Sequence, residues 1–336
     1  MKKTTTVIKK WQLLKWRSHE ELADLSEEDF VAVGKRVFYR SRALEEARMP
    51  ANAAAIKTEA FTGCKRLHTI TLPSNNSVGL ARRSFADCIR LRNVHNSELI
   101  SVIGDRAFEN CRNLPALTFG RDLRRIGEYA FAGCESIRSL ELPSCINVMG
   151  RGAFFACTEL ESVHMEDALT TLAPDAFRDC ISLREIGFSA MLEEIPKGAF
   201  RGCSSLTELT VPSGINVIGA RAFMECNRLR EVTIDIGTTE IGAKAFAKTP
   251  RLERVFVPHS VKKLGLGAFG FGFSKQKITL VVDNEYMKKR MQTQLRLCMS
   301  AGRVNVEVVG KTIEERKRER RRASLEQKPT HLFDIE

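Results

Sequence analysis

The sequence contains no apolar run approaching the roughly 18 residues that a membrane-spanning helix needs, which argues against a helical membrane protein. Its first stretch, MKKTTTVIKKWQLLKW, lacks the apolar core and small-residue cleavage site of a secretory leader. A cytoplasmic location is the expectation that follows. Cys-x-x-Cys does not occur, so the paired short spacing of a structural zinc site is missing. The six histidines (His19, His68, His95, His164, His259 and His331) are scattered, and none stands in a pattern that would pair with a nucleophile. No catalytic, metal or cofactor residues are nominated, and an enzyme is not expected. Tryptophan and tyrosine are scarce, 2 and 3 residues against 19 Phe. Nearly all the aromatic mass is therefore one side chain, and its positions carry information.

Charge is abundant but unevenly placed. The chain of 336 residues has a formal net charge of +12. Residues 1–17 hold six Lys/Arg and no acid, and residues 311–322 hold seven basic and three acidic residues. Basicity is thus concentrated at the two ends, which offers 1–17 and 311–322 as contacts for a polyanion, nucleic acid or an anionic membrane. Within the tail, the Arg316–Arg322 run has the composition of a nuclear-import signal. Ser324, two residues after Arg322, is a candidate phosphorylation site whose modification would reduce the local positive charge. Trp11 and Trp16 add a basic–aromatic element suited to a membrane surface, to a partner or to packing against a helical cap.

Phenylalanine recurs at Phe61, Phe85, Phe108, Phe131, Phe154, Phe177, Phe200, Phe223, Phe246 and Phe269. The first interval is 24 residues and the rest are 23, and stepping back once more reaches Phe38. This gives eleven copies of one unit. In the copy around Phe223, Ala222, Phe223, Cys226 and Leu229 lie on one side of a short helical turn. Leu229, Val232 and Ile234 then lead into a strand in which Val232 and Ile234 alternate with Thr233. A turn follows, then an aliphatic pair and a Gly for a tight bend. No such unit can bury its apolar side alone, so neighbours must stack, with the Phe side chains in a ladder of structural rungs. Eight of the ten cysteines share one slot, which reads as a small buried apolar residue rather than a ligand or disulfide array. The G-x-G-x-x-G over residues 265–270 is made of the repeat's own glycines and has no βαβ context.

The unit stands as IGEYAFAGCESIRSLELP over 126–143 and IPKGAFRGCSSLTELTVP over 195–212. It resembles the BspA-like leucine-rich repeat (type 5). The resemblance covers about residues 31–283 and implies an α/β solenoid of about eleven coils with a parallel sheet on its concave face. It also implies kinship with surface and adhesion proteins of bacteria and protists. The expected organisation is a basic segment and helical cap over 1–30, the solenoid over 31–283, a helix–strand cap over 284–310, and a charged, disordered tail over 311–336. Ser18-x-x-Glu21 and Ser26-x-x-Asp29 are the helix-start signatures behind the first cap. Met287, Met291, Leu295 and Cys298 form the apolar stripe behind the second.

Outward slots of the concave strands offer the candidate partner-binding residues: Glu141, His164, Glu185, Glu208, Glu231, Arg254 and Phe256. Three glutamates, Glu185, Glu208 and Glu231, share one slot on successive strands. Such like charges are mildly destabilising and suit either a basic partner or screening by Arg184 and Arg230. Phe256 is expected to be exposed as an anchor. The leading functional expectation is a monomeric, non-enzymatic scaffold holding a protein partner, its identity unknown, on the concave face. The alternatives are polyanion binding through the basic termini and an adhesin-like surface role.

Overall fold

The computed structural model describes residues 32–166, 169–270, 277–299 and 304–308, together with the strands Val7–Ile8 and Leu22–Asp24. The chain winds into a repeat solenoid of about twelve coils, in which every strand pairing is parallel. Each coil supplies up to three edges. One is a short strand such as Val217–Ile218, one a longer strand such as Glu231–Ile234, and between them lies the turn that carries the Phe. Strands that precede the Phe turn pair only with each other, as do those that follow it, so five parallel sheets form two separate rows along the molecule.

The Phe segment is not the helical turn that the apolar spacing predicts. Residues two before and two after the Phe have left-handed φ values, 59° at Arg221 and 68° at Glu225 around Phe223. Left-handed backbone cannot continue a right-handed helix. Instead the amides alternate. Arg221, Phe223 and Glu225 donate to the carbonyls of Ala243, Ala245 and Ala247 on the next coil, at 2.9, 2.9 and 3.0 Å. Ala222, Met224 and Cys226 donate back to carbonyls within their own coil. The turn is thereby a third hydrogen-bonded seam between coils, and its buried backbone is satisfied without helix or strand.

Stacking brings the aromatic rings into register. From Phe38 to Phe269 successive rings lie 4.9 to 5.8 Å apart, with planes within 13° of parallel. All but Phe38 are essentially inaccessible to solvent. Each buried ring contributes roughly 2–3 kcal/mol by area, with offset stacking adding to it. The Gly four residues before Phe has a different purpose from the tight bend expected. At Gly219 an added Cβ would sit 2.7 Å from the carbonyl oxygen of Ile195 on the preceding coil. Close approach between coils, rather than a left-handed φ, excludes a side chain there.

The long-strand stack is interrupted between Glu185–Gly187 and Glu208–Val211 and, earlier, between Asn93–His95 and Ser139–Leu142. In neighbouring coils the residue just before the strand donates its amide one coil back, as Arg92 does to His68 at 3.0 Å. The equivalent residue at the earlier interruption is Pro115, which has no amide proton to give.

The ends depart from the expected caps. Leu22–Asp24 is a strand, paired with Glu46–Arg48, inside the region expected to form the first helical cap. Val7–Ile8 likewise pairs with Ala32–Val33. The solenoid therefore extends a coil beyond the eleven anticipated. A Ser three residues before a carboxylate also suits a turn, and the open sheet edge is met by another strand. The only α-helix among the described residues is Glu285–Leu297, so the α/β expectation gives way to a solenoid built almost wholly of strands and turns. That helix starts at Asn284, whose side chain accepts the Met287 amide at 2.9 Å. It buries Met287, Met291 and Leu295 and links the parallel strands Ile278–Val282 and Val304–Val308.

Phe223→Ala is expected to lower stability by about 3–5 kcal/mol, because a rigid stack collapses poorly around a missing ring. Cys226→Ala, which removes a smaller group, is expected to cost about 1 kcal/mol. Urea unfolding of both variants checks the ordering; equal losses would contradict the primacy of the ring ladder.

Candidate functional site

The long strands alternate buried and outward residues, and this determines where each candidate side chain stands. In Ser139–Leu142 and Glu208–Val211, Leu140, Leu142, Leu209 and Val211 are buried while Glu141, Glu208 and Thr210 are exposed. Glu141 lies in register with His164, and Ser162 with Glu185. His164 approaches Glu185 at 4.0 Å and packs over Gly187, where an added Cβ would meet its Nδ1 at 2.8 Å. Glu208, Glu231 and Arg254 occupy one row on three adjacent strands. Glu185 and Arg254 are exposed and Glu231 is half-buried.

Arg184 and Arg230, the residues offered by the sequence as screening partners, form no ion pair among the described residues. Neither do Glu141 and Glu208. Glu141 and Glu208 therefore face outward without an ion pair among the described residues.

Phe256 differs from its expectation. It is only 5 % exposed, in register between Thr233 and Val281, which are 9 % and 6 % exposed. The long-strand sheet continues past it through Ile278–Val282 and Val304–Val308, so Phe256 is an interior rung flanked on both sides. It is a structural residue rather than an exposed anchor. The signal for this was present in ITLVV, which reads as another strand beyond Phe256.

The eight ladder cysteines, Cys64 through Cys226, are fully buried. Each thiol donates to the carbonyl of the Phe in the preceding coil, from 3.0 Å at Cys64–Phe38 to 3.4 Å at Cys226–Phe200. The slot therefore holds a hydrogen-bond donor, not only a small apolar group. Thr249, which replaces Cys in a later copy, donates to Phe246 at 2.8 Å. Ser41 and Thr249 in a cysteine slot were the clue available in the sequence. Burial pushes the thiols of Cys88, Cys111, Cys134, Cys157 and Cys203 up, and that of Cys226 to about 12. All ten cysteines are free, and among the described residues no three His, Cys, Asp or Glu converge as a metal site.

Apart from the strand Val7–Ile8, the basic segments 1–17 and 311–322, with Ser324 and the Trp11/Trp16 pair, lie outside the described residues. Within the described residues no helix is long and apolar enough to cross a membrane.

The family model for the BspA type leucine rich repeat region (six copies) matches residues 31–157, 79–207 and 148–276, most of the chain. The chain belongs to the BspA-type leucine-rich repeat family. Among solved structures it is similar to a leucine-rich repeat protein from Bacteroides ovatus ATCC 8483, with 20 % identity, 86 % of this chain and 92 % of that chain covered, and a TM-score of 0.52. It also matches a Treponema pallidum (T. pallidum) leucine rich repeat protein at 26 % identity, covering 56 % of this chain and 80 % of that one, with a TM-score of 0.42. A leucine rich cell surface protein from Faecalibacterium prausnitzii A2-165 matches at 22 % identity over 67 % and 82 % of the two chains, with a TM-score of 0.32. No curated protein matches. The BspA-type repeat therefore accounts for the 23-residue unit, and the Bacteroides ovatus solenoid shares its fold.

Because the buried thiols resist ionisation when folded and ionise freely when unfolded, the unfolded chain releases more protons as pH rises. Thiol-linked stability is expected to be fully present below the ordinary thiol value of about 8.5 and to be lost progressively from there towards pH 12. Urea midpoints between pH 7 and 11 check this. A variant with Cys134, Cys157, Cys203 and Cys226 all replaced by Ala should show a flatter decline.

Proposed function

We propose that this chain is a non-enzymatic interaction scaffold that holds a protein partner on its long-strand face, the concave face expected of a leucine-rich repeat solenoid. The observation that carries this reading is the set of outward carboxylates on the long strands, Glu185 and Glu208 in one slot of the repeat and Glu141 two residues further along its own strand. Glu141 and Glu185 stand on one sheet and Glu208 on the next; neither Glu141 nor Glu208 forms an ion pair among the described residues, and Glu185 approaches His164 at 4.0 Å. A solenoid holds such charges at fixed positions, so a partner meets them with little ordering cost. The complementary partner presents Lys or Arg side chains in an extended or helical row. A repeat scaffold with an extended face is suited to this task, and membership of the family supports an interaction or surface role over an enzymatic one.

Glu185→Arg combined with Glu208→Arg is expected to weaken capture of the partner from native lysate about tenfold or more, while leaving the melting curve unchanged. A chain lacking residues 1–17 and 311–336 is expected to capture the same partner. Undiminished capture by the charge-reversed variant, or loss of capture on trimming the ends, would sink the long-strand-face reading.

A further inference from the structure

The turn edge of the first coils carries a groove of about 1100 Å³, lined entirely by residues of the Phe turns and by none from the long-strand sheet. Five cations border it: Arg40, Arg42, Lys65, Arg83 and Arg112. The two acids in its lining are already engaged. Glu59 accepts a hydrogen bond from the Arg36 guanidinium, which holds its carboxyl below the usual carboxylate range. Asp87 takes Arg83 at 3.4 Å and the Asn110 amide at 2.9 Å. Arg40, Arg42 and Lys65 form no ion pair among the described residues. Arg112 has only a largely exposed pairing with Glu135 at 3.5 Å. The surroundings add to the imbalance, since residues 35–112 contain fourteen Lys/Arg and seven Asp/Glu.

The repeat sets the spacing of these charges. Arg42, Lys65 and Arg112 occupy the same slot, four residues after the Phe, with Ile89 between the last two. The corresponding rings step by 4.9, 5.1 and 5.4 Å, so the groove runs about 15 Å along the axis. Gly63, at φ 74°, keeps its floor open: a Cβ there would come within 3.0 Å of the Arg40 side chain. Guanidinium and ammonium groups in a row match tetrahedral oxyanions, which arginine can grip with two parallel N–H bonds. The groove offers no platform for a nucleobase. Its single aromatic, Tyr39, has Arg36 and Arg40 each 5.2 Å from its ring centroid, which disfavours the base stacking that single-stranded nucleic acids need.

We propose that this turn-edge groove binds a linear polyanion of closely spaced tetrahedral oxyanions, phosphate or sulfate, through Arg40, Arg42, Lys65 and Arg112. Its lining residues belong neither to the long-strand face nor to the basic segments 1–17 and 311–322. Neutralising several of these cations with one ligand releases condensed counterions, so affinity falls as salt rises.

The full-length chain is titrated separately with inorganic polyphosphate, a heparin-derived oligosaccharide and single-stranded DNA, at low and high salt. At least one of the first two is expected to bind, and which of them binds more tightly identifies the phosphate or sulfate source. Arg42→Glu with Lys65→Glu should weaken that binding about tenfold or more. Arg228→Glu with Lys262→Glu, the same charge change on exposed residues of distant coils, should weaken it by less than about threefold. Thermal melts establish that both variants fold, and Arg42→Gln with Lys65→Gln replaces the first pair if it does not. Failure of both polyanions to bind, equal weakening by the two charge-reversed pairs, or tighter binding of the DNA would overturn the proposal.

Discussion

Neighbouring coils meet at about 5 Å, and almost every other feature of the molecule answers to that distance. It is the rise between hydrogen-bonded parallel strands, and it is also a separation at which parallel phenylalanine rings touch. The ladder from Phe38 to Phe269 keeps to this step along its length. A ring cannot move without disturbing the one above and below it, and neither can the backbone seam beside it. Strand pairing, turn amides and aromatic stacking therefore enforce a single register together.

The same closeness dictates the chemistry of the slots around the rings. Glycine stands before Phe in most copies because the preceding coil's backbone leaves no room for a Cβ. Cysteine follows because a small, fully buried group is wanted that can still donate to the Phe carbonyl one coil back. That donor makes the thiol part of the inter-coil seam rather than a reactive centre, and its burial opposes ionisation. Ser41 and Thr249 occupy the slot at the two ends of the array, where the hydroxyls bond within their own coil: Ser41 accepts the Leu44 amide and Thr249 donates to the Phe246 carbonyl. Where the pattern yields, the structure shows why: Pro115 cannot supply the amide that carries the long-strand stack across its coil, and the sheet is interrupted there.

Because the coils are rigidly spaced, charge on the surface is arranged in rows rather than scattered. The long-strand face displays outward glutamates such as Glu141 and Glu208, and the first Phe turns display arginine and lysine along a groove. The two surfaces have opposite sign and lie on different edges of the coil, so the proposed partner and the proposed polyanion would meet different residues. Long side chains such as Arg42 and Lys65 project from ordered turns, which reduces the conformational freedom a ligand must suppress.

Much of the architecture was legible in the chain itself. The 23-residue spacing of Phe, the Cys and Leu positions after it and the alternation in TELTV establish stacked coils, parallel strands and a buried ladder, because a periodic sequence can bury a periodic apolar face in few ways. The stripe Met287, Met291, Leu295 marks its helix for the same reason. The outward slots of Glu141, Glu185 and Glu208 follow from the two-residue period of a strand. What the sequence could not specify were relations between coils. The left-handed pair flanking each Phe, the thiol's acceptor, the burial of Phe256, the strand at Leu22–Asp24 and the meeting of Arg42, Lys65 and Arg112 along one groove all depend on which residue of the next coil arrives opposite. A single coil's sequence encodes its own apolar pattern; only the stacked structure decides what each backbone amide and each outward charge will face, because those partners are 22 to 26 residues away and are brought together by the winding alone.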